Sequence, residues 1–496
     1  MNAGSWLSRS ADRVRLSVMP QDAAATLQPL RSALVAQAQV TAAAPKAEAA
    51  GRTIRERLQA TLRQQPEALS PRALRRTLAD LQAIIDPHVS EVEGGRRAQV
   101  MATWYAAATP EERRDFWLLM SEQFVADQQA AKAAQAKYAA AVGTADEAVA
   151  EVRLRRATVS PRRRLLQRFS VFPDGIRFLV DLRAEMLLHL KADKRLQALD
   201  VEMEYMFSTW FDVAFLDLRR ISWDSPASLI EKLIKYEAVH DIRSWDDVKN
   251  RLDSDRRCYG FFHPRLPGEP LIFVEVALMD AIAGSITPLL DETAAPADLE
   301  KATTAIFYSI SNTQHGLRGV SFGDSLIKRV VETLKDEFPR LKIFVTLSPI
   351  PGLRPWLQKH AGAMLEQAGE KSRAKLARAA GVRELTPEAL LVALEKPLAL
   401  EAKSPLCAFL LACAACYLGR EQQQGKPADP VARFHLGNGA RIERLNWGGD
   451  PSVKGIKQSY GLMVNYLYDL RRLDKHRAQL AQGKIPVSGA IEELYF

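Results

Sequence analysis

A chain of 496 residues, 47% hydrophobic and 26% charged, is long enough for roughly two to four domains with buried cores and too apolar for wholesale disorder. Its 68 Lys and Arg exceed 59 Asp and Glu, for a formal charge of +9. That modest excess suits a polyanionic small molecule as well as it suits nucleic acid. Its four cysteines exclude a disulfide-built scaffold, and the sequence holds no run of about 18 uncharged apolar residues that would span a membrane.

Residues 1–20 carry Arg9, Arg13 and Arg15 without the apolar block of a secretory signal. The cytoplasm is the expected compartment, with a weak organellar transit peptide left open. Ala and Gln then dominate, and residues 1–50 read as a flexible lead-in. Over residues 51–204 apolar positions recur three and four apart, as at Leu74, Leu78, Leu81 and Ile85, which predicts an all-helical domain. Pro66, Pro71, Pro87, Pro110 and Pro161 mark its breaks. Ser70-Pro71 and Thr109-Pro110 read as helix starts, a capping hydroxyl followed by proline at the first helical position. At the end of this region seven arginines, Arg153, Arg155, Arg156, Arg162, Arg163, Arg164 and Arg168, fall within sixteen residues. Val152, Leu154, Leu165 and Leu166 interleave with them, so a solvated or inter-domain helix face is favoured over a nucleic-acid patch.

The texture changes near residue 205. Cys258–Phe262, Leu271–Leu278, Ala305–Ser311 and Lys342–Ser348 are short apolar runs bounded by turn residues, and they read as strands. Leu271–Leu278 holds one charge, Glu275, which predicts a strand covered on both faces. After Ala305–Ser311 comes a loop with Gly316, Gly319 and Gly323. A helix follows, with Leu326, Ile327, Val330, Val331, Leu334 and Phe338 on one face. Strand, glycine loop and helix bring backbone N–H groups to a phosphate, although neither the Walker nor the Rossmann spacing is met. Three glycines before a helix are equally a turn. Asp324 would repel a diphosphate, whereas Arg318 and Lys328 would attract one. Cys413-Ala-Ala-Cys416 has the spacing of half a zinc site, but no second pair follows it. It lies in an apolar helix-like run, so buried structural cysteines are expected and no metal is assigned.

The run FYSISNTQHGLRGVSFGDSLIKRVV from Phe307 to Val331 resembles the catalytic domain of malonyl-CoA decarboxylases. So do LSPIPG from Leu347 to Gly352 and FHLGNGARIERLNWGGDPSVKGIKQSYGLMVNYLYDL from Phe434 to Leu470, in the same order. Weaker echoes are Ala238-Val239-His240 with Trp245, and Arg256–Tyr259 followed by Pro267–Pro270. The resemblance implies a GNAT-like mixed-sheet catalytic domain over residues 205–496 behind a helical oligomerisation domain over residues 51–204. It further implies a homotetramer that converts malonyl-CoA to acetyl-CoA and CO2 with no metal or organic cofactor. Neither nucleic acid nor membrane is expected as a partner. By resemblance, Arg318, Gly319, Val320, Ser321, Phe322, Gly323 and Asp324 form the loop for the CoA diphosphate. Asp324 stands where the family can carry a hydroxyl residue, so a phosphate contact by that side chain is in doubt. The family's catalytic serine falls on Ser348, its catalytic histidine on His435, and a tyrosine lining its acyl pocket on Tyr468.

Loss of CO2 from such a substrate leaves a thioester enolate. The chemistry needs donors for the thioester oxygen, each worth about 100- to 1,000-fold in rate, and one proton for the α-carbon. A hydroxyl relayed to an imidazole suits the second need. Ser348 is held by Pro349 and Pro351, and His435 is placed at the start of a strand. Read without the resemblance, a serine before proline is a turn residue, and His240, His263, His315 and His360 compete equally with His435. Three other readings stand beside this one. They are an acyltransferase of the same fold acting on a CoA thioester, a nucleic-acid-binding protein, and a CoA-binding relative without catalysis.

Overall fold

A computed structural model describes residues 52–63, 67–320 and 326–496. The lead-in expected over residues 1–50, the break at Pro66, and Ser321, Phe322, Gly323 and Asp324 lie outside the described residues.

Nine α-helices fill residues 54–210 among those described: α1 (Ile54–Gln59), α2 (Pro71–Ile84), α3 (Glu91–Ala107), α4 (Pro110–Gln123), α5 (Gln128–Ala141), α6 (Glu147–Thr158), α7 (Pro161–Phe169), α8 (Gly175–Leu187) and α9 (Gln197–Trp210). Both expected helix starts are present. The Ser70 hydroxyl accepts from the Ala73 N–H, and Thr109 forms a reciprocal box with Glu112. Leu74 and Leu81 are buried with Phe116, Trp117 and Leu179, each such side chain contributing about 1.5–3 kcal/mol.

The arginine run divides. Arg153, Arg155 and Arg156 are exposed, as a solvated face requires. Arg162 and Arg168 are buried, contrary to that expectation. On α7 Arg162 shares its side with Leu165, Leu166 and Phe169, so packing those residues carries the arginine inward. Its guanidinium is then used on backbone, donating to Met120 O at 3.0 Å and also to Ser121 O.

An eight-stranded mixed sheet follows. β1 (Asp217–Ile221), β2 (Arg256–Phe262), β3 (Pro270–Met279) and β4 (Thr304–Asn312) form an antiparallel meander. β5 (Ile343–Thr346) runs parallel to β4, reached through α12 (Leu326–Glu337). The helices α10 (Ala227–Tyr236) and α11 (Trp245–Arg251) lie in sequence between β1 and β2. β6 is only Ser348–Pro349, β7 (Gln422–Gln423) and β8 (Lys426–Pro427) make a separate hairpin, and β9 is Arg441–Asn446. β10 (Met463–Leu467) pairs antiparallel with β5, β6 and β9. The remaining helices are α13 (Leu353–Ala379), α14 (Pro387–Ala393), α15 (Pro405–Gly419), α16 (Pro430–Gly437), α17 (Val453–Ser459), α18 (Leu473–Ala481) and α19 (Gly489–Glu492). A helical region followed by a mixed sheet is the architecture expected from the sequence.

β3 is buried along nearly its whole length, as its composition predicted. Its one charge, Glu275, meets Arg251 of α11 at 3.0 Å, and Arg251 is tied in turn to Asp247 at 2.6 Å. Burial pushes the Glu275 carboxyl up to about 7, against the pull of Arg251. Two differences from expectation bear on the site. The run Lys342–Ser348 breaks at Leu347, so that β5 keeps its place beside β4 while Ser348 turns to β10. His435 lies on α16, not at the start of a strand. Asp429 caps that helix and Pro430 opens it, which is the same signal as Ser70-Pro71.

Candidate active site

Ser348 and His435 are 87 residues apart in sequence and are brought together by the sheet. β10 holds Ser348 through its pairing with Val464, and directly after Leu467 closes the ladder the chain reaches Tyr468. The Tyr468 N–H donates to Phe344 O at 2.9 Å, which fixes the tyrosine against β5. The Ser348 Oγ lies 3.2 Å from His435 Nε2 and 2.8 Å from Thr346 Oγ1. On the far side of the imidazole, Nδ1 lies 2.8 Å from the Tyr468 hydroxyl. With Ser348 donating to Thr346, the consistent assignment puts the hydrogen of His435 on Nε2 and lets Nδ1 accept from Tyr468. The Thr346 hydroxyl also accepts from the Tyr466 N–H at 3.2 Å.

The array is buried: Ser348, His435 and Tyr468 are 5%, 4% and 3% exposed. The imidazole stacks on Tyr466 with ring centroids 4.7 Å apart. Burial alone pushes His435 down to about 3, so it is neutral at physiological pH. Burial also holds the Tyr468 phenol well above its usual range. Every member of the array therefore rests uncharged.

Asp429 sets where α16 stands. One carboxylate oxygen accepts from the Val431 and Ala432 N–H groups at 2.9 and 3.0 Å. The other accepts from the Gly352 N–H and the Tyr417 hydroxyl, both at 3.4 Å. One buried side chain thus joins the helix of His435 to the turn that follows Ser348. Replacing Asp429 by Ala is expected to cost about 1–2 kcal/mol of stability. It should also lower kcat by about 10- to 100-fold through a misplaced imidazole. Thermal melts and steady-state rates on the one variant check both; an undiminished kcat would detach the cap from the site.

Ser348 and His435 line a cavity of about 570 Å³ together with Phe307, Ser309, Arg318, Gly319 and Val320. Leu326, the first residue of α12, lines it too. Tyr468 is not among the lining side chains. Its hydroxyl is engaged behind His435, which stands between it and Ser348. Of the competing histidines only His315 reaches this cavity. His240 is buried elsewhere, His263 packs on Phe211, and His360 stacks on Trp356. All four cysteines are buried and free, and Cys413 and Cys416 lie inside α15, in keeping with structural roles. Sequence reasoning passed over Thr346 and Asp429. Asp429 was detectable from the Asp-Pro helix start, whereas nothing in the sequence marks Thr346.

The model of the malonyl-CoA decarboxylase C-terminal domain matches residues 214–495, more than half of the chain. The chain belongs to the malonyl-CoA decarboxylase family. That family's N-terminal domain matches residues 124–211. Membership makes the chain a carboxy-lyase. The mitochondrial malonyl-CoA decarboxylase of Anser anser anser is 39% identical over 334 residues, which are 65% of this chain and 66% of that protein. The Rattus norvegicus enzyme is 39% identical over 338 residues, 65% of this chain and 68% of its own. The chain thus spans about two thirds of the length of these curated relatives. Among solved structures, malonyl-CoA decarboxylase from Rhodopseudomonas palustris superposes with a TM-score of 0.73 at 38% identity, covering 85% of this chain and 99% of that one. The Cupriavidus metallidurans member gives 0.70 at 43% identity, covering 85% and 100%.

Proposed function

We propose that this family member removes CO2 from malonyl-CoA to leave acetyl-CoA, with Ser348 and His435 delivering the proton. The observation that carries the reading is the uncharged array Tyr468–His435–Ser348–Thr346, of which Ser348 and His435 line the same cavity as Arg318, Gly319 and Val320. Breaking the bond to the carboxylate frees CO2 and leaves its electron pair on the thioester as an enolate. The Ser348 hydroxyl passes its hydrogen to the α-carbon, and His435 Nε2 replaces it. Nδ1 takes the Tyr468 proton as it does so. Once product leaves, water in the cavity protonates Ser348 Oγ, whose hydrogen returns to Nε2 while Nδ1 gives its proton back to Tyr468. The array is thereby reset, and one proton is consumed per turnover. The carboxylate leaves unaided and the charge passes to the thioester oxygen, so the reading needs neither metal nor organic cofactor. Arg318 and the start of α12 hold the CoA diphosphate, with residues 318–324 as the loop. In the same reading residues 51–204 assemble a homotetramer and residues 205–496 carry the chemistry, in the cytoplasm.

The deciding experiment mixes chelator-treated protein with malonyl-CoA and no acceptor. Equal release of acetyl-CoA and CO2 supports the reading. Malonyl-CoA that binds and persists would assign other chemistry to a CoA site. The pH dependence follows from the burial of His435. Its folded pKa of about 3 lies below the usual 6.5, so the imidazole does not titrate between pH 5 and 8. kcat is expected to stay flat across that interval, and a step near pH 6.5 that disappears in His435→Gln would contradict a neutral relay.

A further inference from the structure

Helix α8 belongs to the helical region, yet one of its sides is given to the sheet domain. Arg177, Val180 and Arg183 recur at intervals of three along it and so share a face. All three meet the segment that leads from β4 into the glycine loop. Arg177 Nη1 donates to the Gln314 side-chain oxygen at 2.8 Å. The Val180 carbonyl approaches Gly316 so closely that a Cβ there would lie 1.9 Å from its oxygen. Arg183, 1% exposed, donates through Nε to Asp200 of α9 at 2.8 Å. Its Nη1 donates to Gly316 O at 2.7 Å and to Arg318 O at 2.8 Å. Glu204, one turn beyond Asp200, lies 3.7 Å from Nη2.

Burying a guanidinium is costly unless its donors are used. Here they are used on two carbonyls of one loop, and the direction of a carbonyl fixes that of the next amide. The peptide group is planar and trans, so the N–H of Gly319 points opposite to the Arg318 carbonyl. It therefore faces away from Arg183, and Gly319 lines the cavity. The φ of 84° at Gly319 lies in the left-handed region that glycine enters freely. We propose that Arg183 is a positioning residue for substrate binding: it holds the Gly319 amide turned to receive a phosphate of the CoA thioester. The helical region thereby completes the substrate site of the sheet domain. The guanidinium does not touch substrate; it acts through two carbonyls, and by polarising them it strengthens the loop amides as donors. This inference rests on the reading of residues 318–324 as the diphosphate loop.

The test compares malonyl-CoA with malonyl-pantetheine, which keeps the acyl thioester and lacks the diphosphate. In Arg183→Met the KM for malonyl-CoA is expected to rise by about tenfold, with kcat and the KM for malonyl-pantetheine held within about twofold. Arg183→Lys should fall between, because an ammonium lacks the guanidinium fork. Equal losses on both substrates would make Arg183 merely structural and overturn the proposal, as would an unchanged KM for malonyl-CoA. A wild-type enzyme that does not prefer malonyl-CoA to malonyl-pantetheine would fail the loop reading itself, and the proposal with it. Should the lone Asp200 carboxylate unfold Arg183→Met, the double variant Arg183→Met/Asp200→Asn removes that charge, and the same split between substrates is required of it.

Discussion

Replacing His435 by Ala is expected to lower kcat by about 100- to 10,000-fold and to leave the fold intact. The loss should fall on kcat because the imidazole sits behind Ser348 Oγ at 3.2 Å, where the proposed relay has it serve the proton. Removing it breaks the path between the Tyr468 phenol and the serine, and no other histidine is within reach of that hydroxyl among the described contacts. Stability should move the other way in acid. The unfolded chain binds a proton on this side chain below pH 6.5, whereas the folded site refuses it until about pH 3. Stability therefore falls as pH drops through that window, by about 1.4 kcal/mol per pH unit from this group. His435→Gln, measured by urea titration between pH 4 and 7, should show a shallower loss than the wild type. Rates equal to wild type in a folded His435→Ala variant would remove the residue from the mechanism.

Local pattern made much of the fold legible. β3 announced itself by eight apolar-rich residues with a single acid, and α12 by its stripe from Leu326 to Leu334. Elements whose burial is decided by distant partners were not legible. β1 carries Asp217, Arg219 and Arg220 within five residues, and as an exposed edge strand it has no apolar alternation to reveal it. Arg162 and Arg168 read as solvent-facing because charge usually is, but helix phase carries Arg162 inside and the neighbouring helix covers Arg168 at Gly94 and Glu91. At the site, the Phe-His-Leu triplet suggested a strand, although Asp429-Pro430 already spelled a capped helix. The Ser348–His435 pairing and the grip of Arg183 on Gly316, 133 residues away, depend on how the sheet and helices close. No window along the chain contains either.

Ser348→Ala is expected to lower kcat by a similar 100- to 10,000-fold. The more informative result is the double variant. If Ser348 and His435 acted separately, one stabilising the carboxylate and the other the proton, their losses would multiply. In the proposed relay Ser348 receives its replacement hydrogen from His435 Nε2, 3.2 Å away, so once the hydroxyl is gone the imidazole has nothing to supply. Ser348→Ala/His435→Ala should then be no slower than the worse of the two single variants, because residues that act as one unit are strongly non-additive. The measurement is kcat for all four proteins at saturating malonyl-CoA. Multiplying losses would mean that the 3.2 Å contact is a neighbourly hydrogen bond and not a relay. His435 would then have to reach the α-carbon by itself.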